Sequence, residues 1–509
     1  WASAGRIHEQ GYTIEMAIPF SSLQFQRAAG PQVWGLDISR WVPRSQRHRF
    51  GLVPIDRNNN CYQCQFLKIR GFAGVKPGRR LEFVPTLTGA RTDGRDPMPG
   101  GNFAGVSRDL DPGLTVQWGV TPNLTFNGTA NPDFSQVEAD ARQLDVNEPF
   151  ALFYQEKRPF FTEGADFFST PFRAVYTRTL REPRWGLKLS GKEGANTIGA
   201  YFVQDELTNL IFPGSQGSGA ASLDQLSSAL VLRYQRDFGS RYTLGGLFTS
   251  RAGDDYFNRV CGFDGAARFT ERDKVTFQFL GSSTAYPDAV ALANAQPLGT
   301  LSGHAFGAQY VHQTRNLTWY LEYDDVGPEF RADLGFMPKV GYREGEAGVE
   351  YSWLRNQGWW SRIELSYDFS YAEDSNGGFL YRTQGVDFFL SGDLQTFLYL
   401  GAAHGRECFR DQTFQGCTGQ AHLEMQPFSA LWLGVNAEAG DSIDYANARL
   451  GSRVTANLAA MIKAGRHLAF QVDHNYERMK VGGAELYTAN ITQGSAIVHL
   501  NLRTVFRAI

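Results

Sequence analysis

The feature that most constrains this chain is a strict two-residue alternation of apolar and polar side chains, renewed many times after about residue 81. Ile363, Leu365, Tyr367, Phe369 and Tyr371 alternate with Glu364, Ser366, Asp368 and Ser370. Leu317, Trp319, Leu321 and Tyr323 alternate with Thr318, Tyr320 and Glu322, and Val349, Tyr351 and Trp353 flank Glu350 and Ser352. Val275, Phe277 and Phe279 interleave with Lys274, Thr276 and Gln278, and Leu468, Phe470 and Val472 with Ala469, Gln471 and Asp473. Successive side chains of a strand point to opposite faces, so each run is a strand with one apolar and one polar face. A large soluble sandwich alternates in the same way. Length separates the two: many runs last about 9–11 residues, enough to cross a bilayer at a tilt, whereas soluble strands cluster near 5–6.

The connections point the same way. Short turns fall at Thr121–Asn123, Lys192–Ala195, Asp237–Arg241, Thr270–Asp273, Gln313–Asn316, Arg355–Gly358, Ser391–Leu394, Gln426–Ser429 and Ala464–Arg466. Longer polar stretches lie between them, at 92–111, 205–225, 285–302, 325–341, 404–417, 440–446 and 477–487. Outer-membrane barrels sort their connections like this, with tight periplasmic turns and long outer loops. The expectation is therefore an all-β chain, a large antiparallel transmembrane β-barrel of about 20 or more strands. The chain opens at Trp1 inside what reads as an established domain and stops just after strand-like sequence, so more strands are expected in the intact barrel.

Composition agrees where it bears on this reading. No stretch approaches 18 consecutive apolar residues, and mean hydropathy is −0.33. That excludes membrane-spanning helices but not barrel strands, which show lipid only every second residue. Aromatic residues reach 14% and glycines number 55, as many alternating strands and turns require. The net charge of −3 and the lack of a polybasic run give no reason to expect a nucleic-acid partner.

Residues 1–72 read as a separate β-sheet domain. Tyr12, Ile14, Met16 and Ile18 alternate with Thr13, Glu15 and Ala17, and Trp34, Leu36 and Ile38 with Gly35, Asp37 and Ser39. The basic stretch holding Arg40, Arg44, Arg47, His48 and Arg49 is either a solvated loop or a binding edge. Gly71 to Arg80 (GFAGVKPGRR) is rich in Gly and Pro, which places a linker at 73–80 and the barrel at 81–509. Of five cysteines, Cys61 and Cys64 form a CxxC, and Cys408 and Cys417 sit in a polar stretch. Four cysteines would suit zinc only if the two pairs met, so two local disulfides are the simpler reading for an oxidising compartment.

Residues 132–170 stand apart as an inserted segment. It carries Asp133, Glu138, Asp140, Asp145, Glu148, Glu156, Glu163 and Asp166 against Arg142, Lys157 and Arg158. It also holds Phe134, Phe150, Phe153, Phe160, Phe161, Phe167 and Phe168. A mobile loop has no use for so many Phe; apolar anchors with charges describe a segment folded into the lumen, or a surface loop packed on its neighbours. In the lumen, the candidate constriction residues are Asp133, Glu138, Asp140, Asp145, Glu156, Lys157, Arg158, Glu163 and Asp166. Inward arginines such as Arg233 are expected to neutralise some of these acids. Oxygen ligands are plentiful, but no EF-hand spacing supports a Ca²⁺ site.

Two motifs resemble known families. YTIEMAIPF at Tyr12–Phe20, followed by VWGLDISRW at Val33–Trp41, looks like the last strands of a family-9-like carbohydrate-binding domain. NPDFSQVEAD at Asn131–Asp140, with EKRPFFTEGADFF at Glu156–Phe168, looks like the signature of an uncharacterised family of bacterial outer-membrane proteins that couples such a domain to a barrel. That resemblance, over essentially the whole chain, implies a Gram-negative outer membrane and no catalytic residues. It also implies a first domain that is the end of a β-sandwich, on the periplasmic side. No GxSxG, P-loop or HExxH occurs, and the nine His are scattered, with His499 reading as lumen-facing. No enzyme activity, cofactor or metal is expected. Two functions remain: a pore or gated channel for small polar solutes or saccharides, or a surface scaffold with a plugged barrel that holds a glycan or protein. The membrane lipid is the one partner both share.

Overall fold

From Leu81 onward the alternating runs become, among the described residues, the 21 strands of one closed barrel, antiparallel between hairpin neighbours. The computed structural model describes residues 1–509 except 24, 26, 27, 29, 44, 60, 76–80, 96–100, 133–143, 145, 502, 503 and 509. Arg44 and most of the 73–80 linker therefore lie outside the described residues. Neighbours in the wall are almost all sequence neighbours, as hairpin connection dictates. Register carries the alternation around the wall: Leu317 pairs with Tyr351, Tyr351 with Leu365, Leu365 with Phe388, and Phe388 with Leu400. This row is apolar, and Tyr351, Leu365 and Leu400 are exposed. A continuous exposed apolar band around a closed barrel is the surface a bilayer covers.

All nine short turns mark connections at one end of the barrel, and a tenth joins Ala484–Asn501 to Thr504–Ala508. The long-loop expectation holds only in the first part of the wall. The 205–225 stretch contains the hairpin Thr208–Phe212 and Gly219–Leu223; 285–302 contains the helix Asp288–Ala293; 325–341 folds inward. The stretches 404–417, 440–446 and 477–487 are not long loops. Phe397–Phe409 and Gln412–Phe428 run straight through the first, joined at Arg410 and Asp411, both at positive φ. Those strands continue past the lipid belt, where their outward residues turn polar and read as loop.

This extension also corrects the expected Cys408–Cys417 disulfide. Cys408 pairs with Thr413 and Cys417 with His404, four rungs apart on one ladder. Four rungs are about 13 Å, far beyond the reach of a disulfide, and both thiols are free. Cys61 and Cys64 are bonded to each other.

Residues 1–72 form three two-stranded sheets: Ala2–His8 with Gly11–Ala17, Gln32–Leu36 with Leu67–Phe72, and Ser39–Pro43 with Arg47–Gly51. Phe20, Phe25, Trp34 and Phe72 pack together, with Trp34 and Phe72 stacked at 4.4 Å. This region touches the barrel at its short-turn end. Gln46 Nε2 donates to Gly358 O and Asp393 Oδ1, Arg47 Nε to Gln395 Oε1, and the Arg315 amide to Asn58 Oδ1.

Candidate functional site

The described part of the segment between strands Leu124–Ala130 and Pro183–Glu193, from residue 146 onward, lies within the barrel. Phe160, Phe161 and Phe168 are buried with Tyr201, Val203, Ala229, Val231, Leu247, Val260 and Leu280, which share one face of successive wall strands. The opposite face of those strands carries the exposed Leu187, Leu232 and Phe263. At the far side of the barrel, Asn147 Nδ2 donates to Ile443 O, and Arg453 NH1 lies 3.2 Å from Glu148 Oε1. So short a stretch can touch both walls only by crossing the interior.

Glycines seat the aromatic anchors. A Cβ at Gly186 would lie 3.1 Å from the Phe160 ring, and one at Gly199 2.9 Å from that of Phe168. Residues 327–341 fold in beside this plug. The Tyr176 amide donates to Leu334 O at 2.6 Å and the Phe336 amide to Arg173 O at 2.8 Å. Gly303 makes room for this second segment, since a Cβ there would meet the Phe330 backbone at 2.2 Å.

The charged groups inside are ion-paired or hydrogen-bonded, as burial demands. Arg158 holds Glu156 through Nε and NH2, donates to Leu180 O and Thr177 O, and stacks 4.4 Å from the Phe161 ring centroid. Burial pushes the Glu156 carboxyl up, but Arg158 and the Thr177 hydroxyl outweigh it, leaving the group below its usual range. Lys188 donates to Phe160 O and, at 2.6 Å, to Glu163 O. Arg251 and Asp205, both with fully buried side chains, meet at 3.0 Å; Asp205 also accepts the Glu182 amide, and Arg251 donates to Thr179 O and Asn209 O. Asp333, in the second segment, accepts the Tyr256 and Tyr286 hydroxyls. Burial holds its carboxyl above the usual range despite those two donors and nearby arginines.

Of the candidate constriction residues, Asp133, Glu138, Asp140 and Asp145 lie outside the described residues. Glu156 and Arg158 are brought together as an ion pair. Lys157 is half-buried; Glu163 is exposed and accepts from Gln117, and Asp166 is exposed. Glu156, Asp166, Lys188, Tyr176 and Tyr201 line a cavity of about 660 Å³. Arg233 does face inward, but it pairs with Asp264 at 2.5 Å and not with the plug. Lys188 and Arg251 do reach the plug, but through its backbone carbonyls and not its acids.

What sequence reasoning missed is the opposite wall. Inward positions there are polar and only half-buried: Glu346, Asp368, Asp387, Glu438, Asn457 and Asp473. Tyr320 donates to Asp368, Tyr399 to Asp387, and Arg453 to Glu438. A second cavity, of about 500 Å³, opens between this wall and the plug, lined by Glu148, Lys339, Tyr381, Glu407, Tyr445 and Arg453 among others. A signal for the division was available. It lies in Ala229-Leu230-Val231-Leu232, a plug-facing stretch that is apolar on both faces.

A family model described as a domain of unknown function, DUF5916, matches residues 77–180, which span the first three barrel strands and the plug. No curated protein matches the chain. Among solved structures, Acinetobacter baumannii OccAB3 is similar at 8% identity and a TM-score of 0.37, over 84% of this chain and 98% of that one. Pseudomonas aeruginosa OccK7 (OpdD) gives 10% and 0.36 over 82% and 95%. At these scores the superpositions are loose, and the barrel assignment rests on the closed strand order itself.

Proposed function

We propose that this chain forms an outer-membrane channel for small polar solutes, saccharides among them, narrowed from one side by the plug. The observation that supports this reading is the asymmetry of the interior. Inward residues of the strands from Asn196–Asp205 to Asp273–Ala285 are largely sealed beneath the plug and the 327–341 segment, whereas beyond Tyr342 the inward Glu346, Asp368, Asp387 and Asp473 are only half-buried. A barrel needs only the plugged arrangement to be stable, so a water-lined remainder is a path. The excess of Glu346, Asp368, Asp387 and Asp473 over Arg453 on that wall favours cations, as acidic rings do in other pores. The N-terminal sheets meet the short-turn end, which in bacterial barrels faces the periplasm.

Planar-bilayer recording of the refolded chain tests the proposal. Discrete cation-preferring steps are expected; a barrel folded by its heat-modified gel shift yet electrically silent overturns it. The second reading, a plugged scaffold that holds a glycan, draws on the exposed Trp41 and Phe50 of the N-terminal sheets, since exposed rings are surfaces on which sugars stack. Silence in the bilayer together with quenching of Trp41 fluorescence by an oligosaccharide would favour it.

A further inference from the structure

The outward rim at the loop end of the barrel contains cations of two kinds. Arg343 shares the outward face of its strand with Val349 and Tyr351, and it lies 3.5 Å from Asp325 and 3.9 Å from Glu373. Its charge is met by protein. Arg382, in Phe379–Gly392, and Arg406, in Phe397–Phe409, are different. They are direct cross-strand partners. Arg382 lies on the face of the exposed Val386, and Arg406 on that of the exposed Leu400, so both leave the wall on its outward face, where the Arg406 guanidinium lies 5.7 Å from the Phe379 ring centroid. Both side chains are exposed, and among the described residues neither has an acidic partner.

Like charges directly opposite on one sheet face repel. The row that contains them continues to Tyr371 on one side and Gln415 on the other. Beneath it the next outward pair is Gln384 with His404, also cross-strand partners, and the Tyr367 hydroxyl donates to Gln384 Oε1. The lipid belt of these strands thus gives way, around Tyr371, to a patch of hydrogen-bonding groups crowned by two unneutralised arginines. Tyrosine marks the headgroup level of a membrane protein. The patch lies away from the short turns that meet the N-terminal sheets, and so in the outer leaflet.

We infer that Arg382 and Arg406 bind a lipid of the outer leaflet whose headgroup carries a phosphomonoester. Guanidinium groups match phosphate oxygens in paired hydrogen bonds. A phosphomonoester carries nearly two negative charges at neutral pH, enough for both arginines, where a phosphodiester brings one. Gln384, His404 and Gln415 stand beside the phosphate as further partners for headgroup oxygens. The inference needs the chain to sit in a membrane but not to conduct, so failure of the channel reading leaves it standing.

The test uses the full chain refolded into phosphatidylcholine vesicles doped with phosphatidic acid, with the heat-unfolding midpoint read by circular dichroism. Phosphatidic acid should raise the midpoint of the wild type and of R343Q. Each basic residue near an anionic surface strengthens binding roughly fivefold, so R382Q/R406Q should need about thirtyfold more phosphatidic acid for the same rise. Should the double variant not fold, R382Q and R406Q singly should each show the roughly fivefold loss. An undiminished response in these variants, or an equal loss in R343Q, overturns the site. An equal rise from phosphatidylglycerol overturns the phosphomonoester, and an equal rise from inorganic phosphate without the lipid overturns the lipid.

Discussion

Arg251 and Asp205 set the terms on which charge enters the barrel. Both side chains are fully buried, and between them they hold the end of the plug, through Thr179 and Glu182, and the loop at Asn209. Removing one partner of such a pair leaves an uncompensated buried charge, so Arg251→Met should cost about 3–5 kcal/mol of unfolding free energy in a urea titration. Arg251→Met with Asp205→Asn should recover most of it; a double variant no better than the single would mean the hydrogen bonds, not the charge, carry the cost. The outer face obeys the opposite rule. Leu365 lies mid-strand in the lipid band, and Leu365→Arg should cost about 2–4 kcal/mol. Thr455→Arg, on the accessible lumen face beside Glu438, should cost much less. Equal costs would remove the membrane from the argument. Glu364 faces inward too but makes a poor control, because it is buried and engaged by Ser352 and Arg362.

At the scale of elements, glycine decides where the inward segments seat. A side chain at Gly303 would press on the Phe330 backbone, which has no flexible end to swing away. Gly303→Ala should therefore cost about 1–3 kcal/mol and loosen residues 327–341, read as faster protease cleavage there. Unchanged cleavage would show that the backbone absorbs the strain. The strands themselves were legible because alternation is a local property: Ile363 to Tyr371 specifies its own lipid and lumen faces without reference to any neighbour. The Phe-rich anchors of the plug could be read for the same reason. Partner choice could not. That Arg233 pairs with Asp264 while Arg251 serves the plug depends on register across several hairpins, which no single run encodes. The straight run through Cys408 and Cys417 was hidden because strands that outgrow the bilayer lose their apolar face and look like loops.

For the whole molecule, the plug is an excursion inserted into one hairpin. Ala130 pairs directly with Trp185, and the Asn131 amide donates to Arg184 O, so the wall is continuous across the point where the segment leaves and returns. Replacing residues 133–182 by a short Gly-Ser turn should leave that hairpin intact, since antiparallel neighbours close with two to five residues. The exposed apolar face, Tyr201, Val203, Val231 and Leu247, lowers stability but breaks no ladder. Single-channel conductance should rise, because the filled half of the interior opens. Selectivity should behave differently. Among the described residues, the plug acid Glu156 is neutralised by Arg158, whereas Asp368 and Asp387 on the other wall accept only from tyrosine hydroxyls and have no cationic partner. The deletion should keep its cation preference, and Asp368→Asn with Asp387→Asn should weaken it at nearly unchanged conductance. Reversal potentials in a salt gradient read both. If the deletion abolishes the preference while the wall variant retains it, the charge that selects ions resides in the plug, and the wall is only its housing.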